Sequence, residues 1–249
     1  MIAPHFWRES KAKFFKKDLF FITTPWWLRR LFPGCTWDIK TKEKEIYISF
    51  DDGPHPTITP FVLNELKKYN AKATFFCIGD NVRKYPEVYQ QVINDGHAIG
   101  NHTMHHINGW KTPDEQYIND IAEADQYIST NLFRPPYGRI TKSQIKKLSV
   151  KETGQPQKPV LKTIMWSVLA GDWIATLKPE KCFEQVKKSV YPGCIIVFHD
   201  SDKANDRMSY ALPKLLEHFS AKGYVFKKDH SKFRSIKKEK QGVYEEEMP

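Results

Sequence analysis

Two hydrophobic periods alternate along this chain. Short apolar runs rich in β-branched and aromatic residues have the length of strands, and the stretches between them carry apolar residues at helical spacing. In Glu45–Pro54, residues Ile46, Tyr47, Ile48 and Phe50 predict a buried strand that runs into Asp51 and Asp52 and stops at Gly53-Pro54. A helix is then predicted from Thr59-Pro60, with Pro at the first helical position and a stripe of Phe61, Val62, Leu66 and Tyr69. Ala73–Ile78 is a second strand, closed by Gly79, and Pro86–Asn94 a second helix with Gly96 at its C-cap. His97–Asn101 is a third strand, and Thr112–Glu115 reads as a capping box opening a helix to about Ser129. Leu132–Arg134 is a fourth strand, and Thr141–Leu148 a helix with a Thr141/Gln144 box. Lys151–Pro159 reads as a surface loop. The strand Lys162–Val168, helix Pro179–Val190, strand Cys194–Phe198, helix Ala211–Phe219 and strand Tyr224–Phe226 complete the pattern.

Strands that alternate with helices imply parallel pairing and an α/β barrel or open sheet. Seven strands favour an incomplete or distorted barrel. The expected organisation is a basic, aromatic extension over 1–44, one α/β domain over 45–226 and a charged tail over 227–249, without internal repeats.

With 249 residues, 40% hydrophobic and 14% aromatic, the chain can bury a full core. Its net charge of +10 would suit an anionic partner, but the lysines are scattered and many sit near the ends. Without an aromatic-basic face, a nucleic-acid partner is not expected. Cys35, Cys77, Cys182 and Cys194 form no C-x-x-C pair, which argues against structural zinc. No apolar run approaches the length of a spanning helix. The N-terminal segment lacks a leader-like apolar core and cleavage site, so a cytoplasmic monomer is the default expectation, with peripheral membrane contact or unconventional export as alternatives. Lys11–Trp27 is expected to pack on the domain rather than to lie on a membrane.

The candidate chemistry falls at strand ends. Asp51 and Asp52 follow the first strand, His102 and His106 the third, Arg134 ends the fourth, Asp172 follows the fifth, and His199-Asp200 follow the sixth. In a parallel barrel all of these share the C-terminal rim. Each has an ordinary explanation alone: Asp-Asp-Gly-Pro is turn chemistry, Arg134 a surface arginine, His199 a satisfied core-edge histidine. Together they are hard to ascribe to chance. His102 and His106, four apart, fall on one side of a helical turn, although His105 also has helical spacing. With one carboxylate they would make a two-His, one-carboxylate set suited to zinc or another first-row divalent ion such as cobalt. Arg134 can pair with a carboxylate and keep it ionised. The prolines around Pro136 stiffen the turn that carries Tyr137.

Ser-Phe-Asp-Asp-Gly-Pro, His-Thr-x-x-His, Arg-Pro-Pro-Tyr-Gly, Asp-Trp and Phe-His-Asp, in this order over about Ile46 to Phe226, resemble the five motifs of the polysaccharide deacetylase family, the NodB-homology group or carbohydrate esterase family four. That resemblance implies a distorted (β/α)7 barrel and metal-dependent removal of acetyl groups from sugars. It implies Asp51 as general base, and Asp52, His102 and His106 as ligands of one divalent metal, which sets His105 aside. It implies Arg134 orienting Asp51, the Tyr137 N–H binding the oxyanion, and His199 as general acid tuned by Asp172. Pro136, Tyr137, Trp173 and Phe198 would contact the acetylated carbohydrate, with Trp173 and Phe198 walling the methyl pocket. Ser49, where threonine is common, is expected to change little. An O-acetyl xylan esterase and a carbohydrate-binding protein that has lost activity are the alternatives, and filled catalytic positions speak against the latter.

Overall fold

The computed structural model describes residues 21–149 and 160–228. In chain order these form α1 (Trp26–Leu31), β1 (Cys35–Thr36), β2 (Glu45–Asp51), α2 (Ile58–Lys68), β3 (Ala73–Cys77), α3 (Gly79–Lys84), α4 (Pro86–Asn94) and β4 (Ala98–Asn101). There follow α5 (Asp114–Ala124), β5 (Leu132–Phe133), a 3-10 turn (Pro136–Gly138), α6 (Lys142–Ser149), β6 (Lys162–Ile164) and β7 (Val168–Leu169). The last four are α7 (Pro179–Ser189), β8 (Ile195–His199), α8 (Asn205–Ser220) and β9 (Val225–Phe226).

All strand ladders are parallel, in the order β1-β6-β5-β4-β3-β2-β8-β7, with β9 added beside β2. β6 and β7 are the two halves of the expected fifth strand. One half pairs with β5 and the other with β8, so the sheet curls until its circuit closes through residues 165–167 rather than through a ladder. This is the distorted β/α barrel that the alternating pattern predicts.

Period-two alternation sorts the strand residues into two layers. Ile46, Ile48, Phe50, Phe75, Ile196 and Phe198 face the helices and join the main core with Val62, Leu66 and Leu212. Tyr47, Phe76, Leu132, Ile164 and Ile195 fill the barrel interior. The break in the fifth strand leaves carbonyls without ladder partners, and side chains take them. Arg134 donates from Nε to Ile164 O (3.1 Å) and from Nη2 to Met165 O (3.0 Å), and Thr24 Oγ1 donates to Trp166 O (2.8 Å).

Several boundaries differ from the sequence pattern, for local reasons. α2 starts at Ile58, so Pro60 sits within its first turn. The Thr112 box is not made, because the Thr112 hydroxyl donates to Asn108 O and α5 starts after Pro113. α5 ends at Ala124, short of Ser129. The Thr141/Gln144 box forms in full: Thr141 N–H donates to Gln144 Oε1 (2.9 Å) and Gln144 N–H to Thr141 Oγ1 (3.1 Å). α8 begins six residues before Ala211 and accommodates Pro213 in its interior. α3 was not legible, being short and polar.

The expected loop 151–159 and most of the tail lie outside the described residues. Of Lys11–Trp27, residues 21–27 are described. Ile22 O accepts from Leu169 N, and Thr23 pairs antiparallel with Val168, so these two residues lie against the barrel. Trp26 and Trp27 do not: they are 68% and 47% exposed, and α1 buries none of its residues. Among the described residues, no helix is long and apolar enough to cross a membrane.

Candidate active site

The strand ends deliver the motif residues to one rim. Asp51 closes β2 and faces His199, its partner in the β2–β8 ladder. His102 follows β4, Arg134 follows β5, and Asp172 lies three residues past β7. Arg134 is fully buried beneath this rim. Its Nη1 donates to Asp51 Oδ1 at 2.7 Å and to Ser49 Oγ at 2.6 Å, and its guanidinium stacks 4.0 Å from the Phe76 ring. Ser49 is thus part of the arginine's cage, through a hydroxyl that a threonine would also supply.

Asp52, next in sequence, has a different environment. Its φ of 80° turns it away from the strand course, and its backbone carbonyl accepts from Asn81 Nδ2 (2.7 Å). Asp52 Oδ1 lies 3.2 Å from His106 Nε2 and 3.7 Å from His102 Nε2. Burial alone would raise the Asp52 carboxyl, but the facing His106 and the protonated His199, with His102 beside them, hold it well below the usual carboxylate range. His102 Nδ1 makes a 2.7 Å hydrogen bond with Arg134 O. A carbonyl only accepts, so Nδ1 carries the proton and Nε2 offers a bare lone pair. Burial pushes the His102 pKa down to about 4, so the ring stays neutral. The His106 ring is set in turn by Tyr137, whose hydroxyl is 3.1 Å from Nδ1.

The donor set fits a divalent cation. Asp52 Oδ1 is buried without a hydrogen-bond partner and faces the bare Nε2 of His102, with His106 converging on the same space. Such mutually facing acceptors are costly unless a positive charge lies between them. The helical turn expected for His102–His106 is not there. Thr103 (φ 67°) and His106 (φ 55°) take left-handed conformations, and this loop geometry brings the rings together. His105 points elsewhere: its Nδ1 is 2.6 Å from Asp120 Oδ1, in a separate, exposed group with Glu123.

His199 is held by Asp172, which is fully buried. Asp172 Oδ2 accepts the His199 N–H (2.7 Å) and Oδ1 pairs with Nδ1 (2.8 Å), leaving Nε2 toward the rim. Burial disfavours the charged imidazole, but Asp172, with Asp52 and Asp51 behind it, pushes the pKa up to about 10. Trp173 packs edge-on against His199 with ring centroids 5.1 Å apart. Phe198 requires a correction. It is fully buried on the helix-facing side of β8, stacked 6.2 Å from Phe50, and does not wall the site. Alternation puts Val197, not Phe198, on the face of Ile195 and His199. Pro136 is buried at the start of the 3-10 turn, and Tyr137 (φ 59°) stands 61% exposed at the rim.

Five non-glycine residues have positive φ among those described: Asp52, Asn70, Thr103, His106 and Tyr137. Four of the five belong to this site. Such conformations cost free energy and persist where the surroundings enforce them, commonly at functional sites.

Asp200 was seen in the sequence only as a rim residue. It is fully buried, its N–H donates to Asp51 O (3.1 Å), and Thr59 Oγ1 donates to its Oδ2 (2.5 Å). A Cβ on Gly53 would lie 2.2 Å from Asp200 Oδ2, so the turn after Asp52 passes this carboxyl only as glycine. Burial, opposed by the Thr59 bond and aided by Asp52 and Asp51, pushes the Asp200 pKa up to about 7. A carboxyl raised above its unfolded value contributes stability that is present at low pH and is lost as pH rises through the folded value. Asp200→Asn should therefore gain stability relative to the unmodified protein between pH 5 and pH 8, read as urea midpoints at both. A constant difference between the two proteins across that range would show that Asp200 is ionised in the native state.

The site can now be set beside known proteins. The polysaccharide deacetylase profile matches residues 38–154. A peptidoglycan-N-acetylglucosamine deacetylase of Bacillus cereus is 38% identical over 198 residues, covering 77% of this chain and 89% of that protein. A chitooligosaccharide deacetylase of Azorhizobium caulinodans is 37% identical over 169 residues, 65% of this chain and 76% of the other. The crystal structure of the Bc1960 peptidoglycan N-acetylglucosamine deacetylase superposes with a TM-score of 0.73 at 30% identity, over 84% of this chain and 97% of that one. Fold, motif order and these similarities agree that the chain belongs to the polysaccharide deacetylase family.

Proposed function

We propose that this protein hydrolyses the N-acetyl groups of amino sugars in a glycan of peptidoglycan or chitin type. The observation that carries this reading is the separation of two adjacent carboxylates. Asp51 is clamped by Arg134, while Asp52 faces two imidazoles. The relatives named for peptidoglycan N-acetylglucosamine and for chitooligosaccharides support the substrate class.

Asp52, His102 and His106 would hold one divalent ion, zinc being the best match to a two-imidazole, one-carboxylate set. When bound, such an ion supplies a Lewis acid that acidifies a water and polarises the acetyl carbonyl. Asp51 takes the proton of the attacking water. Arg134 pairs with Asp51 and fixes its direction through the Oδ1 contact, leaving Oδ2 for the proton. The Tyr137 N–H, in its left-handed turn, donates to the oxyanion that develops on the carbonyl oxygen. His199, held protonated by Asp172, delivers a proton from Nε2 to the departing amine. Trp173 and Val197 bound the space for the acetyl methyl.

Acetate release from chitooligosaccharides and from peptidoglycan glycan, with zinc or cobalt added, tests the activity. The cation site is tested by metal content after dialysis. His106→Ala should lose the ion and His105→Ala should keep it, and the reverse pattern would overturn the ligand assignment.

The acid is tested by comparing leaving groups. An acetamide leaves as an amine that must be protonated, whereas nitrophenyl acetate leaves as a stable anion. His199→Ala should cut turnover of N-acetylglucosamine oligomers by about a hundred- to ten-thousandfold and that of nitrophenyl acetate far less. Equal losses on both substrates would mean that His199 does not protonate the leaving group.

A further inference from the structure

The rim carries an aromatic side chain that the reaction above does not use. Trp110 follows His106 by four residues and is 55% exposed. It is fixed on several sides despite that exposure. Its Nε1–H donates to Ile140 O (3.0 Å), its backbone N–H to Asn108 Oδ1 (3.0 Å), and the Arg139 guanidinium lies 4.1 Å over its ring. The loop beneath is pinned from α6, where fully buried Gln144 donates from Nε2 to Gly109 O (2.9 Å). A Cβ at Gly109 would lie 2.5 Å from Arg139 O and 2.8 Å from Gln144 Oε1, so the two loops meet there only because that residue is glycine.

Both loops leave the C-terminal ends of barrel strands, β4 and β5, so Trp110 and Arg139 share the rim with His106 and Tyr137. The two pairs are linked along the chain. Tyr137 sits against His106 with ring centroids 4.6 Å apart, and Arg139 is two residues beyond Tyr137. Four peptide units between His106 and Trp110 keep their Cα atoms within about 15 Å. A glycan chain that leaves the reacting sugar on this side of the rim would run toward Trp110.

We propose that Trp110 and Arg139 form a subsite for a further sugar residue of the glycan, beside the one that loses its acetyl group. A pyranose ring has an apolar C–H face and hydroxyls around its edge. The indole offers apolar area for the face, and the guanidinium offers N–H donors for the edge. A role in stability alone accounts less well for the arrangement. An exposed cation–π pair is worth about 0.5–1 kcal/mol and needs neither the bond to Ile140 nor the glycine-tight crossing of the loops. This subsite rests on the glycan reading above, and it makes the enzyme selective for chains over single sugars.

The test is steady-state deacetylation of N-acetylglucosamine and its tetramer, with nitrophenyl acetate as a reference that needs no second sugar. Trp110→Ala should lower kcat/KM on the tetramer about three- to tenfold, mainly through KM, and leave nitrophenyl acetate within about twofold. Trp110→Phe should restore most of the loss, and Arg139→Ala should fall between. Equal losses on tetramer and nitrophenyl acetate would make Trp110 a support of the loop and overturn the subsite. So would an unchanged tetramer-to-monomer ratio in Trp110→Ala while the unmodified enzyme releases acetate from both. If the unmodified enzyme hydrolyses nitrophenyl acetate but no acetylated sugar, the glycan reading itself falls, and the subsite with it.

Discussion

The buried pair of Arg134 and Asp51 is the interaction on which the rest of this structure depends. A guanidinium with no solvent exposure must have every donor matched, because an uncompensated buried charge costs several kcal/mol. Here the matching partners are four residues from two parts of the chain. Asp51 and Ser49 lie on β2, and Ile164 and Met165 lie at the break in the fifth strand, with Phe76 of β3 beneath the guanidinium. The backbone carbonyl of Arg134 accepts a hydrogen bond from His102 Nδ1–H. One residue therefore ties the closure of the barrel to the tautomer of His102 and to the direction of the candidate base.

That constraint explains how neighbours in sequence acquire different chemistry. Asp51 stays on the strand and is neutralised by Arg134 from below. Asp52 is turned out by its left-handed backbone and meets imidazoles at the rim. Asp200 sits behind the turn and fills the space that a side chain at residue 53 would need. On the far side Asp172 holds His199 by both carboxylate oxygens, so the proposed acid and base face each other across one ladder rung of β2 and β8.

Much of this was legible in the sequence. The alternation of strand-like and helix-like periods predicts the parallel sheet, and the motif residues at strand ends predict a single rim. What periodicity could not reveal was tertiary. The fifth strand reads as continuous because its residues are uniformly strand-like, whereas its two halves pair with different strands, β5 and β8. His102 and His106 have helical spacing, but left-handed turns at Thr103 and His106 bring them together. Phe198 was placed in the methyl pocket by resemblance to the family motif, whereas strand alternation turns it to the side opposite His199. Asp200 and the Tyr137 hydroxyl act through partners distant in sequence, Thr59 with Gly53 and His106, and no local signal marks them.

The central claim is that Asp51 and Asp52, one peptide bond apart, divide the work of proton abstraction and cation binding. It is tested most directly by titrating zinc into Asp51→Asn and Asp52→Asn and measuring acetate release from the same samples. Asp51→Asn should bind zinc close to the unmodified affinity while losing nearly all turnover, because the amide still accepts from Arg134 but cannot take a proton. Asp52→Asn should bind zinc far more weakly. Retained turnover in Asp51→Asn, or unaltered zinc binding in Asp52→Asn, would contradict that division.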